Sequence, residues 1–256
     1  MQALPTVPVV SLTLNRYTWS QARAGMSKMG RDHPHLRGVP GLDFYRLLGS
    51  GRGNDLGLGV DLRRWARLAV WSSPAAHQLF EDSPWRRQEL ALTQESYTLM
   101  LRPTRWHGQW GGQTLFAPPP AKPNETVGQS EARPPEKGRI AVLTRAAIRP
   151  AKLAAFWRSV PASQAGLPTQ PGLLASVGLG EVPLLHQATF SVWQDTASML
   201  AYAYRGAGHR GAMAQAKRDN WFSEQLFVRF AVLSGQGSWN GRDPLAPEAL
   251  GPSHLR

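Results

Sequence analysis

The chain has 256 residues, no cysteine, ten tryptophans and a formal net charge of +12. The missing cysteines exclude disulfides, thiolate zinc sites and a thiolate-ligated haem. The sequence contains no run of about 18 apolar residues, so no membrane-spanning helix is expected. The charge favours an anionic partner, such as nucleic acid, an anionic membrane surface or acidic small molecules. An ordinary protein surface that is rich in arginine explains the same charge equally well.

The first half of the chain predicts alternating strands and helices. Pro74 stands where the first turn of a helix is expected, because a missing N–H costs nothing at that position. The predicted elements, in chain order, are a strand at 7–14, a helix at 20–29, strands at 42–48 and 67–71, a helix from Pro74, and a strand at 95–101. Their order is β-α-β-β-α-β.

The second half predicts the same order. Asp195 is an expected N-cap of its second helix, because a carboxylate there accepts the free N–H groups of the first turn. The elements are a strand at 139–145, a helix from Pro150 to Trp157, strands at 173–177 and 187–193, helices at 196–204 and 209–220, and a strand within 224–233.

The two halves repeat one another. An offset of 129 residues relates Leu14 to Leu143, Gly49 to Gly178 and Trp110 to Trp239, and an offset of 122 relates Trp71 to Trp193. The order predicts an α+β fold of two tandem ferredoxin-like repeats packed as a dimeric-type α/β barrel within one chain. The expected domains are repeat 1 at 7–112, a proline-rich linker at 113–138, repeat 2 at 139–242 and a tail at 243–256.

One histidine distinguishes the second repeat. The second repeat is seven residues longer between its mid-repeat and terminal tryptophans, and that stretch contains His209 among small residues at 206–212. Glycines of this kind allow a flat cofactor to approach the backbone. The alternative is an ordinary histidine at a helix N-terminus. The 122 offset places Arg87 opposite His209, which predicts a single cofactor per chain.

The glycine motifs 49–53 and 178–180 resemble a phosphate loop, but no Gly-Lys-Ser/Thr follows and no helix begins there. Hairpin or strand-end glycines are therefore the preferred interpretation. Arg145 ends a strand and could bind a carboxylate or propionate or polarise bound oxygen, although a solvated arginine is an equal alternative. Among the remaining histidines, five show no metal-binding spacing, namely His33, His35, His77, His107 and His186.

Trp106, Trp110 and Trp239 lie in the glycine-rich ends of the repeats. Together with the charge they could form a stacking surface for nucleic acid. Their repeat-related positions favour structural packing instead, and no recognised nucleic-acid-binding module is present.

Several motifs resemble the spheroidene monooxygenase family. They are residues 140–146, 178–183, 187–193, 220–224 and 239–245 with His209, and segments 48–51 and 95–97 also fit. The likeness covers about residues 7 to 245, apart from the linker. The family is known for oxidising acyclic carotenoids at the C-2 end carbon, first to a hydroxyl and then to a keto group, with molecular oxygen and a reduced electron donor such as ferredoxin.

The resemblance implies a b-type haem bound by His209 as the metal ligand. Arg145 is then a candidate for the distal pocket or for a propionate contact, and Gln187 is a further polar catalytic candidate. The substrate is expected to be a carotenoid or another apolar molecule, held in a hydrophobic cavity that the paired sheets provide. The alternative is a non-catalytic ferredoxin-like protein that binds haem or a lipophilic ligand.

The expected location is the cytoplasm. Residues 1–10 show neither a positive n-region nor a small-residue cleavage site, which argues against export. A membrane-dissolved substrate would give the positive charge a use, namely peripheral contact with anionic lipid at the inner face of the membrane.

Overall fold

The computed structural model describes residues 8–52, 59–116, 138–164, 166–205 and 207–247. These residues form eight strands: β1 (Val9–Arg16), β2 (Leu42–Gly51), β3 (Val60–Trp71), β4 (Glu95–Gly108), β5 (Ile140–Ile148), β6 (Leu173–Val182), β7 (His186–Trp193) and β8 (Phe222–Gly237). Their helices are α1 (Ala22–Arg31), α2 (His33–Leu36), α3 (Pro74–Glu81), α4 (Pro84–Ala91), α5 (Leu153–Gln164), α6 (Thr196–Arg205) and α7 (Ala207–Arg218). Short 3-10 turns lie at Trp19–Gln21, Pro150–Lys152 and Leu167–Thr169.

The strands close into one antiparallel barrel in the order β1-β3-β2-β6-β7-β5-β8-β4. The first half of the chain supplies β4-β1-β3-β2 and the second half supplies β8-β5-β7-β6. Two seams join the halves, one between β2 and β6 and one between β4 and β8. The mixed α/β class expected from the sequence is confirmed, with an eight-stranded antiparallel barrel at its centre.

The seam registers relate residues that lie 129 positions apart. Ser50 pairs with Leu179 at one seam, and Arg102 pairs with Ala231 at the other. Each of these residues therefore faces its own sequence equivalent. An approximate two-fold axis passes through both seams. It relates the two halves with the same offset of 129 residues that relates Leu14 to Leu143 in the sequence.

The tryptophan match at an offset of 122 is two residues out of strand register. Trp193 lies opposite Ile140. The equivalent of Ile140 in the first half is Ser11, which lies opposite Ala69 and not opposite Trp71. An even shift keeps a side chain on the same face of a sheet. Both indoles consequently lie under helices, although they are not strict equivalents.

The barrel interior is a packed hydrophobic core. Alternate residues of all eight strands point inward, and 25 buried side chains form one cluster there. The substrate cavity was expected between the paired sheets and their helices, and the packed interior is consistent with that placement. A site for an apolar molecule must lie on the outer face of the barrel, between strands and helices.

The glycine-rich tryptophan turns close the two ends of the barrel. Trp110 and Trp239 are buried in the core. Glu224 accepts hydrogen bonds from the backbone N–H groups of Gly111 and Gly112 at 2.8 and 2.6 Å. At the other end Glu95 accepts one from Gly241 at 2.6 Å. The preference for structural packing over nucleic-acid stacking is confirmed for these two indoles.

The helices cover the outer faces of the two halves differently. In the first half α1 packs directly on β3, and a second apolar cluster around Trp71 fills the space beneath the helices. In the second half α5 and α7 pack chiefly against each other. The helices therefore pack differently in the two halves, although an apolar cluster around Trp193 also lies on the outer face of the second half.

Candidate functional site

A glycine-rich groove runs along the seam between β2 and β6. Gly49 pairs with Gly180, and Gly51 and Gly178 lie two residues along each strand. Residues two apart share a face, so all four glycines face outward, opposite to the core residues Leu48 and Leu179. The preference for hairpin or strand-end glycines over a phosphate loop agrees with this placement, because Gly49, Gly51, Gly178 and Gly180 lie in strands.

Neither backbone conformation nor packing requires glycine at Gly49 or Gly180. Their φ angles lie outside the left-handed region. A Cβ at Gly49 would meet the Trp65 ring at 3.5 Å, and one at Gly180 would meet the Gln187 amide at 3.6 Å. Both are ordinary van der Waals contacts. What glycine provides here is open space above the strands.

That space is a cavity of about 230 Å³ between helices of the two halves. Trp157 of α5 and Leu184 of the β6–β7 turn line one side, and Met29 of α1 and Trp65 of β3 line the other. The Trp157 indole N–H donates to the Leu184 carbonyl oxygen at 3.3 Å, which ties the turn to α5. The Gln187 side chain supplies an amide to a largely apolar lining.

On the outer face of the second half, a position two strands from the cavity residue Gly178 is exposed. Thr144 is exposed although β5 has a strand on each side, and it pairs with Thr189 and Phe227. Its first-half equivalent, Asn15, is buried and accepts a hydrogen bond from Ser96 at 2.7 Å. Equivalent positions are therefore closed in one half and open in the other.

Helix α7 packs against α5 and α6 in this half, and His209 lies in its first turn. The backbone of His209 is helical, while its side chain lies outside the described part of the structure. Arg87, the position that the sequence places opposite it, is on α4 and donates to the Asp82 carbonyl oxygen at 2.6 Å on the surface. The placement of His209 as ligand stays a prediction.

Arg145 lies on the inner face of β5, at the barrel end. Its guanidinium is 3% exposed, hydrogen bonds to Glu224, lies 3.5 Å from Glu181 and stacks over the Trp110 ring at 5.4 Å. Glu181 itself lines the cavity. Arg145 is thus one contact removed from the cavity, through Glu181, whereas Gln187 lines it directly.

The carboxylate that holds Arg145 is stabilised in its charged form. Burial raises the pKa of Glu224, but hydrogen bonds from the N–H groups of Gly112 and Gly111 and the charge of Arg145 lower it more. The pKa of Glu224 therefore lies below its usual value. The ion pair persists at neutral pH and fixes the barrel end beside the cavity.

Searches with known proteins place the chain in a family. No family model matches it. It is 36% identical over 247 residues to the spheroidene monooxygenase of Rhodobacter capsulatus, with 95% of this chain and 98% of the relative covered. The chain belongs to the spheroidene monooxygenase family. Members from Rubrivivax gelatinosus and Cereibacter sphaeroides match at 39% and 34% identity, covering 80% and 91% of this chain and 74% and 67% of the relatives. The chain is accordingly a monooxygenase.

Solved structures support the fold of this spheroidene monooxygenase family member. Two crystal structures of aldoxime dehydratase match with TM-scores of 0.59 and 0.55, at 10% and 13% identity. Both alignments cover 88% of this chain and about four-fifths of the other, 79% and 81%. At such identity the likeness concerns the fold alone.

The outer face of the second half can accept the flat group that the spheroidene monooxygenase resemblance implies. Thr144, Thr189 and Gly178 leave a low surface across three neighbouring strands. Helix α7 packs against α5, whereas α1 packs on β3 in the first half. Small side chains on this face leave room for a planar group, and in a chain without cysteine an imidazole is the default haem ligand.

The other histidines are used for packing. His77 is buried against the Trp71 ring at 5.4 Å, and burial lowers the pKa of its imidazole. His186 lies 3.6 Å from Glu181, and His107 stacks on Phe227 at 5.2 Å. His33 contacts Tyr45, and His35 stacks on Trp85. Within the described residues, no group of three or more His, Asp or Glu forms a metal site.

Leu184, Trp157 and Thr144 were missing from the sequence-based site. Leu184 stands in the segment 181–184, where an apolar residue after a turn-forming proline is unusual. That was the available signal. No local sequence signal marked Trp157 or Thr144, because only barrel closure shows that Trp157 covers the seam and that Thr144 is exposed.

No helix in the described ranges is long and apolar enough to cross a bilayer.

Proposed function

We propose that the chain is a haem-dependent monooxygenase that inserts oxygen into an acyclic carotenoid such as spheroidene, or into a similar apolar molecule. The observation that carries the proposal is the match to named spheroidene monooxygenases over nearly the whole chain. The apolar groove at the β2–β6 seam and the open face beside it support a long apolar substrate.

His209 would hold the iron of a b-type haem. When bound, the haem would supply reductive activation of O₂, which protein side chains cannot perform. Helices α5 and α7 of the second half would shield this group from water. A reduced donor such as ferredoxin supplies the electrons.

The groove orients the substrate. Its glycine floor lets a rigid polyene lie close to the strands, and Trp157, Trp65 and Leu184 exclude water from it. Gln187 offers an amide that can hydrogen bond to the hydroxyl of the first product. Retention of that product would allow a second oxidation at the same carbon.

Each insertion uses one O₂, two electrons and two protons, and one oxygen atom leaves as water. The first insertion converts C–H to C–OH. The second gives a geminal diol, which loses water to become the ketone.

Arg145 is proposed to act on this site through Glu181. The Arg145 guanidinium is held by two carboxylates on the inner face of the barrel. A direct contact of Arg145 with a haem propionate or with oxygen stays a prediction. We further propose that 7–112 and 139–242 are ferredoxin-like repeats joined by the segment 113–138, with a tail at 243–256. The strand orders and the registers related by 129 residues support this division.

The test is a haem reconstitution. Wild-type protein from haem-supplemented cells should show a Soret band, and His209→Ala should lose most of it while its circular dichroism is unchanged. Arg87→Ala is the matched control, since its side chain lies at the sequence-equivalent position on the surface. A wild-type protein without a Soret band would refute the cofactor. Undiminished haem in His209→Ala would move the ligand elsewhere, with His186 and His77 next to be replaced.

Activity is tested separately. Haem-loaded protein supplied with spheroidene, O₂ and reduced ferredoxin should yield hydroxylated and then keto products, resolved by chromatography and mass spectrometry. A haem-loaded protein that leaves several acyclic carotenoids unchanged would favour a lipophilic-ligand-binding protein.

A further inference from the structure

The mouth of the seam cavity is lined by apolar side chains that face solvent. Val60, the first residue of β3, is 49% exposed, and Leu184 is 47% exposed, and both also line the cavity. Leu62, two residues beyond Val60, is exposed as well. Exposed apolar residues that continue into an apolar cavity mark a contact surface more strongly than scattered ones do.

Leu184 is held there against its backbone preference. Its φ is +65°, in the left-handed region that glycine and asparagine adopt readily and that costs a leucine about 1–2 kcal/mol. The side chain is also exposed to water. A residue with an unfavourable backbone and an unfavourable environment indicates a selected role for its side chain outside the fold.

Two arginines neighbour residues that line this mouth. Arg52 donates to the Val60 carbonyl oxygen at 3.1 Å, and Arg158 follows Trp157 on α5. Trp19, in the 3-10 turn before α1, is 68% exposed and lies under the Arg63 guanidinium at 4.8 Å. An exposed tryptophan beside arginine is typical of groups that settle at a lipid headgroup layer.

Two carboxylates lie near the mouth among the described residues. Asp61 accepts a hydrogen bond from the Arg63 backbone N–H at 3.0 Å and keeps its charge, and Glu181 is paired with Arg46 at 2.8 Å. Within the described part of the chain the mouth is therefore apolar at its centre and has more arginines than unpaired carboxylates beside it, on a chain of formal net charge +12.

We propose that this mouth, defined by Val60, Leu62 and Leu184 with the neighbouring Arg52 and Arg158, docks on the surface of an anionic lipid bilayer. The apolar substrate then passes from the lipid directly into the seam groove without crossing water. The inference rests on the proposed function for the identity of the cargo, but the docking itself does not depend on haem or turnover.

Vesicle flotation tests the surface. Wild-type protein should float with phosphatidylcholine–phosphatidylglycerol vesicles and bind pure phosphatidylcholine more weakly. Val60→Glu/Leu184→Glu should weaken binding to the anionic vesicles by about tenfold or more, because two apolar side chains no longer enter the lipid. Leu79→Glu is the matched control, since Leu79 is 74% exposed on α3, away from the mouth.

A second variant separates docking from folding. Leu184→Asn should raise or preserve the melting temperature, since asparagine tolerates the left-handed conformation, and should weaken vesicle binding. Wild-type binding by Leu184→Asn and by the double glutamate variant would overturn the proposal. So would equal loss in Leu79→Glu, or a wild-type dimer that the double variant converts to monomer with unchanged vesicle binding, which would make the mouth a self-association surface.

The outcomes for docking and for function remain distinguishable. Vesicle binding without a Soret band would keep the surface and reject the haem enzyme. A haem-loaded, active protein that does not bind anionic vesicles would support the proposed enzyme activity and refute the proposed docking surface.

Discussion

Glu89 lies at the centre of a buried ion network in the first half, beneath α1 and α4. Both of its oxygens accept from Arg67, at 2.9 and 3.0 Å, and one accepts from Arg86 at 2.6 Å. The Lys28 ammonium lies 3.9 Å away. The three main members are at most 4% exposed. This network occupies the face of the sheet that is open in the second half.

Glu89→Ala should leave Arg67 and Arg86 buried without their shared carboxylate. Removing one partner of a buried ion pair costs roughly 3–5 kcal/mol. For a chain of this size each kcal/mol lowers the melting temperature by about 2–4 °C, so we expect a fall of roughly 6–20 °C. Arg218→Ala is the control: it removes an ion pair to Asp219 whose arginine side chain is 71% exposed, and should cost under about 1 kcal/mol.

The measurement is urea unfolding followed by circular dichroism at pH 7 and at pH 4. Burial raises the pKa of Glu89, but Arg67, Arg86 and Lys28 outweigh it and the pKa is lowered. The network therefore stabilises the fold above the ordinary glutamate pKa, and this contribution is lost as the pH falls below it. A loss under about 1 kcal/mol at pH 7 would refute the reasoning, since it would mean that water reaches the network.

Two further variants test the groove and a buried imidazole. Gly180→Val should fold at least as stably as wild type, because the strand position tolerates a side chain, yet it should fill the cavity and lower kcat/KM for a carotenoid. Gly30→Ala on α1, with nothing within 4 Å, should leave turnover unchanged, and equal turnover in both variants would contradict the groove. His77→Phe should abolish a pH dependence of stability between pH 7 and 5. Burial lowers the pKa of His77, so wild-type stability falls below about pH 6.5, by at most about 1.4 kcal/mol per pH unit, and a wild type with flat stability across this range would show that the imidazole is not desolvated.

Local sequence patterns predicted the elements but not their lengths. Asp195 caps α6 as expected, accepting from the Ser198 N–H at 2.7 Å. The predicted end of β4 at residue 101 was wrong. The strand continues to Gly108, and Pro103 lies at a bulge, where a strand tolerates a missing N–H.

The candidate site was harder to predict, since it is assembled across the chain. The two glycine motifs were each recognised as strand ends. Nothing in either motif indicates that Gly49 pairs with Gly180, because that contact depends on barrel closure. Gln187 was correctly singled out as a polar group and lines the cavity, whereas Arg145 points to the opposite face of the sheet. Successive residues of a strand point to opposite faces of the sheet, so a difference of one position places Gln187 on the cavity side and Arg145 on the core side.

Closure of the barrel also determines how the protein can be divided. If the chain were cut between β4 and β5, β2 and β4 of one fragment and β6 and β8 of the other would become sheet edges with unpaired N–H and C=O groups. Such edges are templates for pairing with any exposed strand. Because the seam registers are related by two-fold symmetry, each fragment could also pair with a second copy of itself. Because the two halves belong to one chain, they pair with each other and not with second copies of themselves.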